Sequence, residues 1–590
     1  MKKQKIAICI LCMLTITFTS CVTGEKETRK PNVVIILSDD QGWGDLKING
    51  NTNIETPNID KLANSGVAFD RFYVCPVCSP TRAELLTGRY HVRGGVYSTS
   101  AGGERLDLDE TTIAEVFKKA GYATAAYGKW HNGMQPPYHP NARGFDDYYG
   151  FCSGHWGNYF SPMLEHNGKI VQGEGFIIND LTAHGLNFIE KNKENPFFLY
   201  LPFNTPHAPM QVPDSWWNKY ENKDLEMFNR DRDREDVMFT KSALAMCENI
   251  DWNVGRIINK LEELGLSENT IVIYFSDNGP NSWRWNDGMK GRKGSTDEGG
   301  VRSPLFIKWE GQFKPGTRIM HIAGVIDLFP TLTDLAGINA ENIKPFDGVS
   351  LKPLLLEDNP EWKERLIFNH WRGRTSVRGQ KFRLGHEGKL FDMEKDPGQY
   401  NDISRDYPEV KNELASAKDK WETEVLSELP ETDTRSFTIG HPDYIYSQIP
   451  ARDGIAHGNI ERSARPPNCS FFTNWISKSD SITWDAEVLA EGDFEVTVYY
   501  TCAAADLGSV VELSFGDSKI KTEINEVNDP PLKGMENDRI PRWESYVKDF
   551  KPLKMGTIYL KKRKGLLTLK ALEVPGSEVM DFRLLMFKRL

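Results

Sequence analysis

In residues 75–89, CPVCSPTRAELLTGR, two cysteines stand three apart, with a proline two places after the second and an arginine four places after it. A C-x-x-C pair invites three readings: a zinc half-site, a redox dithiol or two buried structural thiols. A structural zinc site wants four ligands, and no second C-x-x-C or Cys/His pair follows at finger spacing. Dithiol sites put the pair at a helix start in a short βαβ domain of a different size. The segment from Cys78 points elsewhere. Ser79 is expected to cap a helix, with Pro80 in its first turn and Gly88 past its end. Cys78 would then lie at the positive end of that helix, where an anion is welcome. Arg82, one turn in, adds a permanent charge and a fork of donors shaped for oxyanions. The segment reads as an anion site with a reactive atom in it.

Other chemistry-bearing residues recur in short motifs. Asp39 and Asp40 close the apolar run PNVVIILSDD (31–40), and SDNGP (276–280) supplies Asp277 and Asn278 after another such run. Three carboxylates and one amide oxygen make a hard-cation site, suited to calcium and less to magnesium. Without a cation they repel. YGKWHNG (127–133) carries Lys129 and His131, on one side of the chain if the segment is extended. NTPHAP (204–209) fixes His207 between prolines, and KGSTDEGGVRSP (293–304) carries Lys293. The loops CSGHWGNYF (152–160) and NSWRWNDG (281–288) hold His155, Trp283, Arg284 and Trp285, set against ordinary loop packing as the other reading. Sugars are bound by aromatic faces with fixed polar groups, so these four are the substrate-binding candidates.

The elements that must position these residues follow from patterning. Residues 31–40 are near-continuously apolar and β-branched, as in a parallel strand buried on both faces. TPNIDKLANSG has Thr56 as cap, Pro57 in the first turn and Gly66 past the end of a helix. Helices are expected at 111–121, 181–192 and 238–264, and strands at 122–128, 196–203 and 269–277. That alternation predicts an α/β fold, a mostly parallel central sheet flanked by helices, whose ligands gather where strands end. Asp39, Asp40, His131, His207, Asp277 and Asn278 all fall just past such ends. Beyond 345 the alternation weakens into a smaller α+β subdomain, closed by a helix near 407–426. The Pro, Asp, Thr and Gly-rich stretch 428–458 reads as a linker. Period-two strands after it predict an appended β-sandwich. The expected division is 1–20 signal peptide, 21–30 tether, 31–345 catalytic domain, 346–427 α+β subdomain, 428–458 linker and 459–590 sandwich.

Cys78-Ser79-Pro80-Thr81-Arg82 followed by AELLTGR resembles the C-x-P-x-R signature of type I sulfatases, in the alkaline phosphatase-like superfamily, over residues 31–425. The resemblance implies that Cys78, which has the required proline two places on where Cys75 does not, is converted to Cα-formylglycine by a maturation enzyme. It implies a calcium ion held by Asp39, Asp40, Asp277, Asn278 and residue 78. It further implies that Arg82, Lys129, His131, His207 and Lys293 serve catalysis. Lys129 would contact the sulfate, Lys293 the sulfate or the bridging oxygen, His131 would bond the formylglycine hydroxyl, and His207 would donate a proton to the leaving sugar oxygen. The family more often has Leu where this chain has Asn132.

The N-terminal MKKQKIAICILCMLTITFTSC is a basic start, an apolar run and small residues before a cysteine, which predicts export as a lipoprotein with Cys21 lipidated. A lipid-tethered protein of the bacterial cell envelope is the expected localisation. The formal net charge of −11 repels nucleic acid and long polyanions, so any anion must be held by a local positive cluster. That favours short or terminal sulfated sugars as substrates. Of nine cysteines, those beyond Cys21 are too sparse for a disulfide scaffold, though a Cys469–Cys502 bridge stays open. Trp475 and Trp484 leave a glycan-binding role open for the sandwich. The leading reading is a carbohydrate sulfatase. The alternatives are a phosphonate monoester or phosphodiester hydrolase of the same superfamily, and a glycan-binding protein whose catalytic core has lapsed.

Overall fold

The computed structural model describes residues 29–590, so the signal segment, Cys21 and most of the tether lie outside the described residues. The core is an 11-stranded sheet. In chain order its strands are β1 (Asn32–Ser38), β2 (Val67–Tyr73), β3 (Ala123–Lys129), β4 (Asp147–Phe151), β5 (Met163–His166), β6 (Lys169–Gln172), β7 (Phe197–Pro202), β8 (Thr270–Ser276), β9 (Arg302–Trp309), β10 (Thr317–Ile319) and β11 (Ala323–Gly324). β8, β1, β7, β3 and β4 run parallel side by side, and β9 and β5–β6 pair antiparallel at the flanks.

The patterning of β1 shows why this sheet is covered on both faces. Val34 and Ile36 enter one apolar layer with the helices Ile177–Lys191 and Val237–Glu263. Val33, Ile35 and Leu37 enter the opposite layer with the helices Cys78–Thr87, Ile113–Lys119 and Leu328–Leu335. A strand with apolar side chains on both faces is stable only between two helical layers, and each fully buried Val, Leu or Ile contributes about 1.5–3 kcal/mol.

The next unit is a four-stranded antiparallel sheet (Ile367–Trp371, Arg374–Arg378, Phe382–Leu384, Leu390–Asp392), against which the helix Pro408–Val425 packs Leu414. Two six-stranded sheets follow, and their facing residues, among them Ile482, Leu513 and Leu569 from one and Val498, Phe582 and Leu585 from the other, form one apolar layer. That is a sandwich.

Three expectations change here. The stretch 428–458 is not simply a linker: Phe437–Ile439, Tyr446–Pro450 and Ile455–His457 pair into the two sandwich sheets. Cys469 and Cys502 are both free and buried, with burial pushing the Cys469 thiol up to about 12. Trp475 and Trp484 are each 1% exposed and fill the sandwich interior, so neither presents a ring to a glycan. Among the described residues no helix is long and apolar enough to cross a membrane.

Candidate active site

Four neighbouring strands end at one place. In the order β8-β1-β7-β3, Ser38 is level with Ser276 and Leu37 with Pro202. The next residues therefore converge: Asp39 and Asp40 past β1, Asp277 and Asn278 past β8, Lys129 and His131 at the end of β3, and His207 in the loop after β7. The Asp277 amide donates to Ser38 O at 3.1 Å and the Asp39 amide to Thr205 O at 3.0 Å, which locks these loops together. Asp40 and His131 both have φ of +67°, a left-handed conformation that costs a non-glycine residue on the order of 1 kcal/mol.

The helix Cys78–Thr87 brings its first residue to the same spot. Its cap position is Val77, in extended conformation, rather than Ser79. The Ser79 hydroxyl instead donates to His131 O at 3.0 Å. Thr81 Oγ1 donates to Asp277 O at 2.6 Å and accepts from the Cys75 amide at 2.9 Å. Asn132 Nδ2 donates to Ser79 O at 3.3 Å, so Asn132 braces the helix start. Cys78 Sγ and carboxylate oxygens of Asp39 and Asp277 all lie within 4.8 Å of one another, and Asp39, Asp40 and His207 form a second such group. Cys75 is turned away against Glu84, and burial together with that carboxyl pushes its thiol well up.

The donor set fits a hard cation. Asp39 Oδ1, Asp40 Oδ2 and Asn278 Oδ1 are buried with no hydrogen-bond partner among the described residues. Buried unpaired acceptors each cost about 1–3 kcal/mol. Charge is unbalanced as well. Burial, reinforced by the charge of Asp39, pushes the Asp277 carboxyl well up despite Arg82. Burial acts the same way on Asp39, but Lys129, His207 and Arg82 outweigh it and hold that carboxyl far below the usual range. A divalent cation among these oxygens relieves both the repulsion and the missing bonds.

Arg82 does not face an incoming oxyanion. It is fully buried, with Nε and Nη2 on Asp277 Oδ2 at 3.2 and 2.8 Å and Nη1 on Lys129 O at 2.6 Å. It holds the Asp277 carboxylate and the end of β3 in place. Lys129 Nζ meets Asp39 Oδ2 at 2.7 Å, and Lys293 Nζ meets Asp40 Oδ1 at 2.6 Å. Burial would weaken the Lys293 ammonium, but Asp40 outweighs it and keeps it charged. The Lys293 loop docks closely on the turn after β8: the Gly279 amide donates to Gly300 O, the Lys293 amide to Pro280 O, and a Cβ on Gly279 would fall 2.0 Å from Gly299 O.

Two histidines face the site with different ring nitrogens. His131 Nε2 lies 2.9 Å from Thr99 O, which makes it the donor and leaves the buried, unpartnered Nδ1 as an acceptor. Burial and the Lys129 charge hold this imidazole neutral. His207 has Nδ1 2.6 Å from Ala208 O and Nε2 3.6 Å from Asp40 Oδ2. His155 is buried and stacks on His207, ring centroids 5.9 Å apart.

The other substrate candidates divide. Trp283 lines a cleft that also contains Lys293. Arg284 turns inward, 1% exposed, and pairs with Asp45 at 2.6 Å, so it braces the loop and meets no substrate. Trp285 packs over Gly44 and Gly50, away from the catalytic groups. An irregular loop has no periodicity from which to read inward from outward.

Sequence reasoning missed the part played by the sandwich. A cavity of about 320 Å³ is lined by Asp40, His207 and Lys293 together with Trp543 and Glu544, and Trp543 is 86% exposed. The loop that carries it is pinned to the catalytic domain. Gln211 Nε2 donates to Asp538 Oδ1 at 2.9 Å, the Arg539 amide to Met210 O at 3.0 Å, and Arg542 to Gly157 O. Asn468, also from the sandwich, meets His155 Nδ1 at 3.3 Å. A lone tryptophan in a polar stretch was the available signal.

Comparison with known proteins agrees with this geometry. The family described as Sulfatase matches residues 31–338, just over half of the chain, and the family described as N-sulphoglucosamine sulphohydrolase, C-terminal, matches residues 292–424. The chain is 34% identical over 381 residues to N-acetylgalactosamine-6-sulfatase of Mus musculus, covering 58% of this chain and 69% of that protein. It is 32% identical over 450 residues to arylsulfatase A of Homo sapiens, covering 64% and 84%. Among solved structures, Ps i-CgsB in complex with k-i-k-neocarrahexaose is similar at a TM-score of 0.62 and 32% identity, covering 68% of this chain and 96% of that one.

Proposed function

The chain belongs to the sulfatase family, and from that membership we propose that it is a carbohydrate sulfatase in which residue 78, as formylglycine, carries the nucleophile. The observation that bears most on this reading is the approach of Cys78 Sγ to the Asp39 and Asp277 carboxylates, within 4.8 Å, at the head of a helix. Similarity to N-acetylgalactosamine-6-sulfatase and to a structure holding a neocarrahexaose supports a sugar substrate over a simple aryl ester.

Formylglycine supplies an aldehyde hydrate, a hydroxyl nucleophile on a carbon able to reopen to its carbonyl, a form of covalent catalysis closed to a plain serine. A calcium ion held by Asp39, Asp40, Asp277 and Asn278 supplies Lewis acidity toward a sulfate oxygen. The chain's own residues do the rest. Lys129 and Lys293 hold the sulfate oxygens from two sides, and Arg82 keeps Asp277 and the Lys129 backbone in place. His207, its Nδ1 fastened to Ala208 O, gives a proton from Nε2 to the sugar oxygen as the S–O bond breaks. His131 accepts a proton at Nδ1 as sulfate is released. In sum, one water is consumed, the sugar leaves as an alcohol, and sulfur leaves as inorganic sulfate.

The apolar run before Cys21 supports export and lipid attachment in a cell envelope, with a formylglycine-generating enzyme as the maturation partner. The test is sulfate release from a panel of sulfated mono- and oligosaccharides, beside an aryl sulfate and the matching aryl phosphonate ester. Release from a sugar supports the reading. Dominant turnover of the phosphonate overturns it.

A further inference from the structure

Lys293 lines not only the catalytic cavity but also a neighbouring cleft of about 530 Å³, between the 281–295 loop and the four-stranded subdomain. Seven of the side chains lining this cleft are cationic and three are carboxylates, in a chain whose formal net charge is −11. The excess is local and concentrated. Four of these cations have a carboxylate partner, as Lys293 has Asp40 and Arg234 has Asp231 at 3.6 Å. Arg230, Arg292 and Arg374 have none within 4.0 Å among the described residues.

Two of these three, Arg230 and Arg292, are held instead by aromatic rings and by one edge nitrogen, Nη1, on backbone carbonyls. Arg234 and Arg292 both lie over Trp283, at 3.8 and 5.2 Å, and Arg230 lies 3.7 Å from the Tyr400 ring centroid. Contact with a ring uses the face of a guanidinium and leaves edge donors for an anion. Crowding has its own signature: burial and the charge of Arg234 pull the Arg292 guanidinium below its ordinary value. Cations in excess of their counter-charge, beside the lysine proposed to hold the reacting sulfate, call for a second negative group.

We propose that this cleft is an accessory subsite for a second anionic group, a sulfate or a uronic carboxylate, carried by a sugar next to the one being desulfated. The proposal rests on the sulfatase reading and names its substrate class: an oligosaccharide with more than one negative charge. It also revises what net charge alone suggests. The acidic surface at large disfavours polyanions, while the cleft selects a segment with an anion at the right distance from the reacting sulfate.

The test compares kcat/KM of the full mature enzyme on a monosulfated disaccharide with that on the same disaccharide carrying a second sulfate, and on one carrying a uronic acid. The substitutions are Arg292→Gln and Arg374→Gln; Arg374 is exposed and has no side-chain hydrogen bond among the described residues, so its loss leaves the fold intact. Wild-type enzyme is expected to prefer at least one doubly charged substrate, with that preference weakening as salt rises. Each substitution is expected to cut the preference about tenfold, the worth of one charge-assisted hydrogen bond. A preference confined to sulfate or to uronate supports the proposal and identifies the anion. Equal turnover of singly and doubly charged substrates by the wild type, or a preference that survives both substitutions, overturns it. Absence of sulfate release from every substrate, aryl sulfate included, is a different result, because it removes the sulfatase reading itself.

Discussion

His207 faces Asp40 across the mouth of the catalytic cavity, Nε2 to Oδ2 at 3.6 Å, while its Nδ1 is fastened from behind to Ala208 O. The ring is thus fixed with one nitrogen turned to the place where a leaving group departs. Replacing it by alanine is expected to lower kcat on a sugar sulfate by about 10²–10⁴-fold, the usual worth of a positioned general acid. A nitrophenyl sulfate, whose leaving group departs without a proton, should lose far less. Parallel assays on the two substrates check this, and equal losses would argue that His207 only shapes the pocket.

Removal of the proposed cation should be felt in stability as well as activity. Asp39, Asp40 and Asp277 are fully buried, and without a counter-ion they repel. Treatment with a chelator is expected to lower the melting temperature and abolish sulfate release, with calcium restoring both better than magnesium. A ligand at a hundred times its Kd adds about 2.7 kcal/mol to the folded state. Thermal melts of chelated protein against calcium and magnesium titrations decide it; a melting curve indifferent to both ions would count against the site.

Glu84 lies on the helix that carries Cys78, and burial raises its carboxyl from 4.5 to about 8. Since the folded state then holds this proton more tightly than the unfolded chain does, stability falls as pH rises from about 4.5 to about 8 and levels off above. A shift of that size is worth on the order of 5 kcal/mol. Glu84→Gln keeps an oxygen for the His91 amide, which bonds Glu84 Oε1 at 3.2 Å, and removes the titration. Its melting temperature should exceed that of the wild type at pH 8 and converge with it near pH 4.5. Parallel curves would rule the effect out.

How much of this could be read from the chain depends on periodicity. Buried parallel strands are continuous apolar runs, so the places where they stop, at Asp39, Lys129 and Asp277, were visible in the sequence. The 27-residue helix Val237–Glu263 was visible for the same reason, its apolar positions recurring turn by turn. Strands of three to five residues, such as Phe437–Ile439 and Tyr446–Pro450, are too short to show alternation, and their Pro, Asp and Gly neighbours made them look like a linker. The cap at Val77 and the inward turn of Arg284 were hidden because each depends on a partner distant in sequence, His131 O for the hydroxyl of Ser79 and Asp45 for Arg284.

Distance in sequence hid Trp543 too, and it yields the most direct check on the sandwich. An indole 86% exposed leaves apolar surface in water, which a small module tolerates readily, yet this one stands on a loop anchored by Gln211–Asp538 and Arg539–Asp214 contacts beside Asp40, His207 and Lys293. An exposed ring on an anchored loop, at the mouth of the proposed sugar site, is a stacking surface for the apolar face of a pyranose, worth about 0.5–1.5 kcal/mol by analogy with aromatic pairs. Trp543→Ala should therefore raise KM for an oligosaccharide by roughly 2–10-fold, with kcat little changed. Trp543→Phe should recover most of the loss, because it restores a ring without restoring the indole N–H. If alanine leaves KM untouched, or if phenylalanine fails to rescue, the sandwich serves the catalytic domain by packing alone.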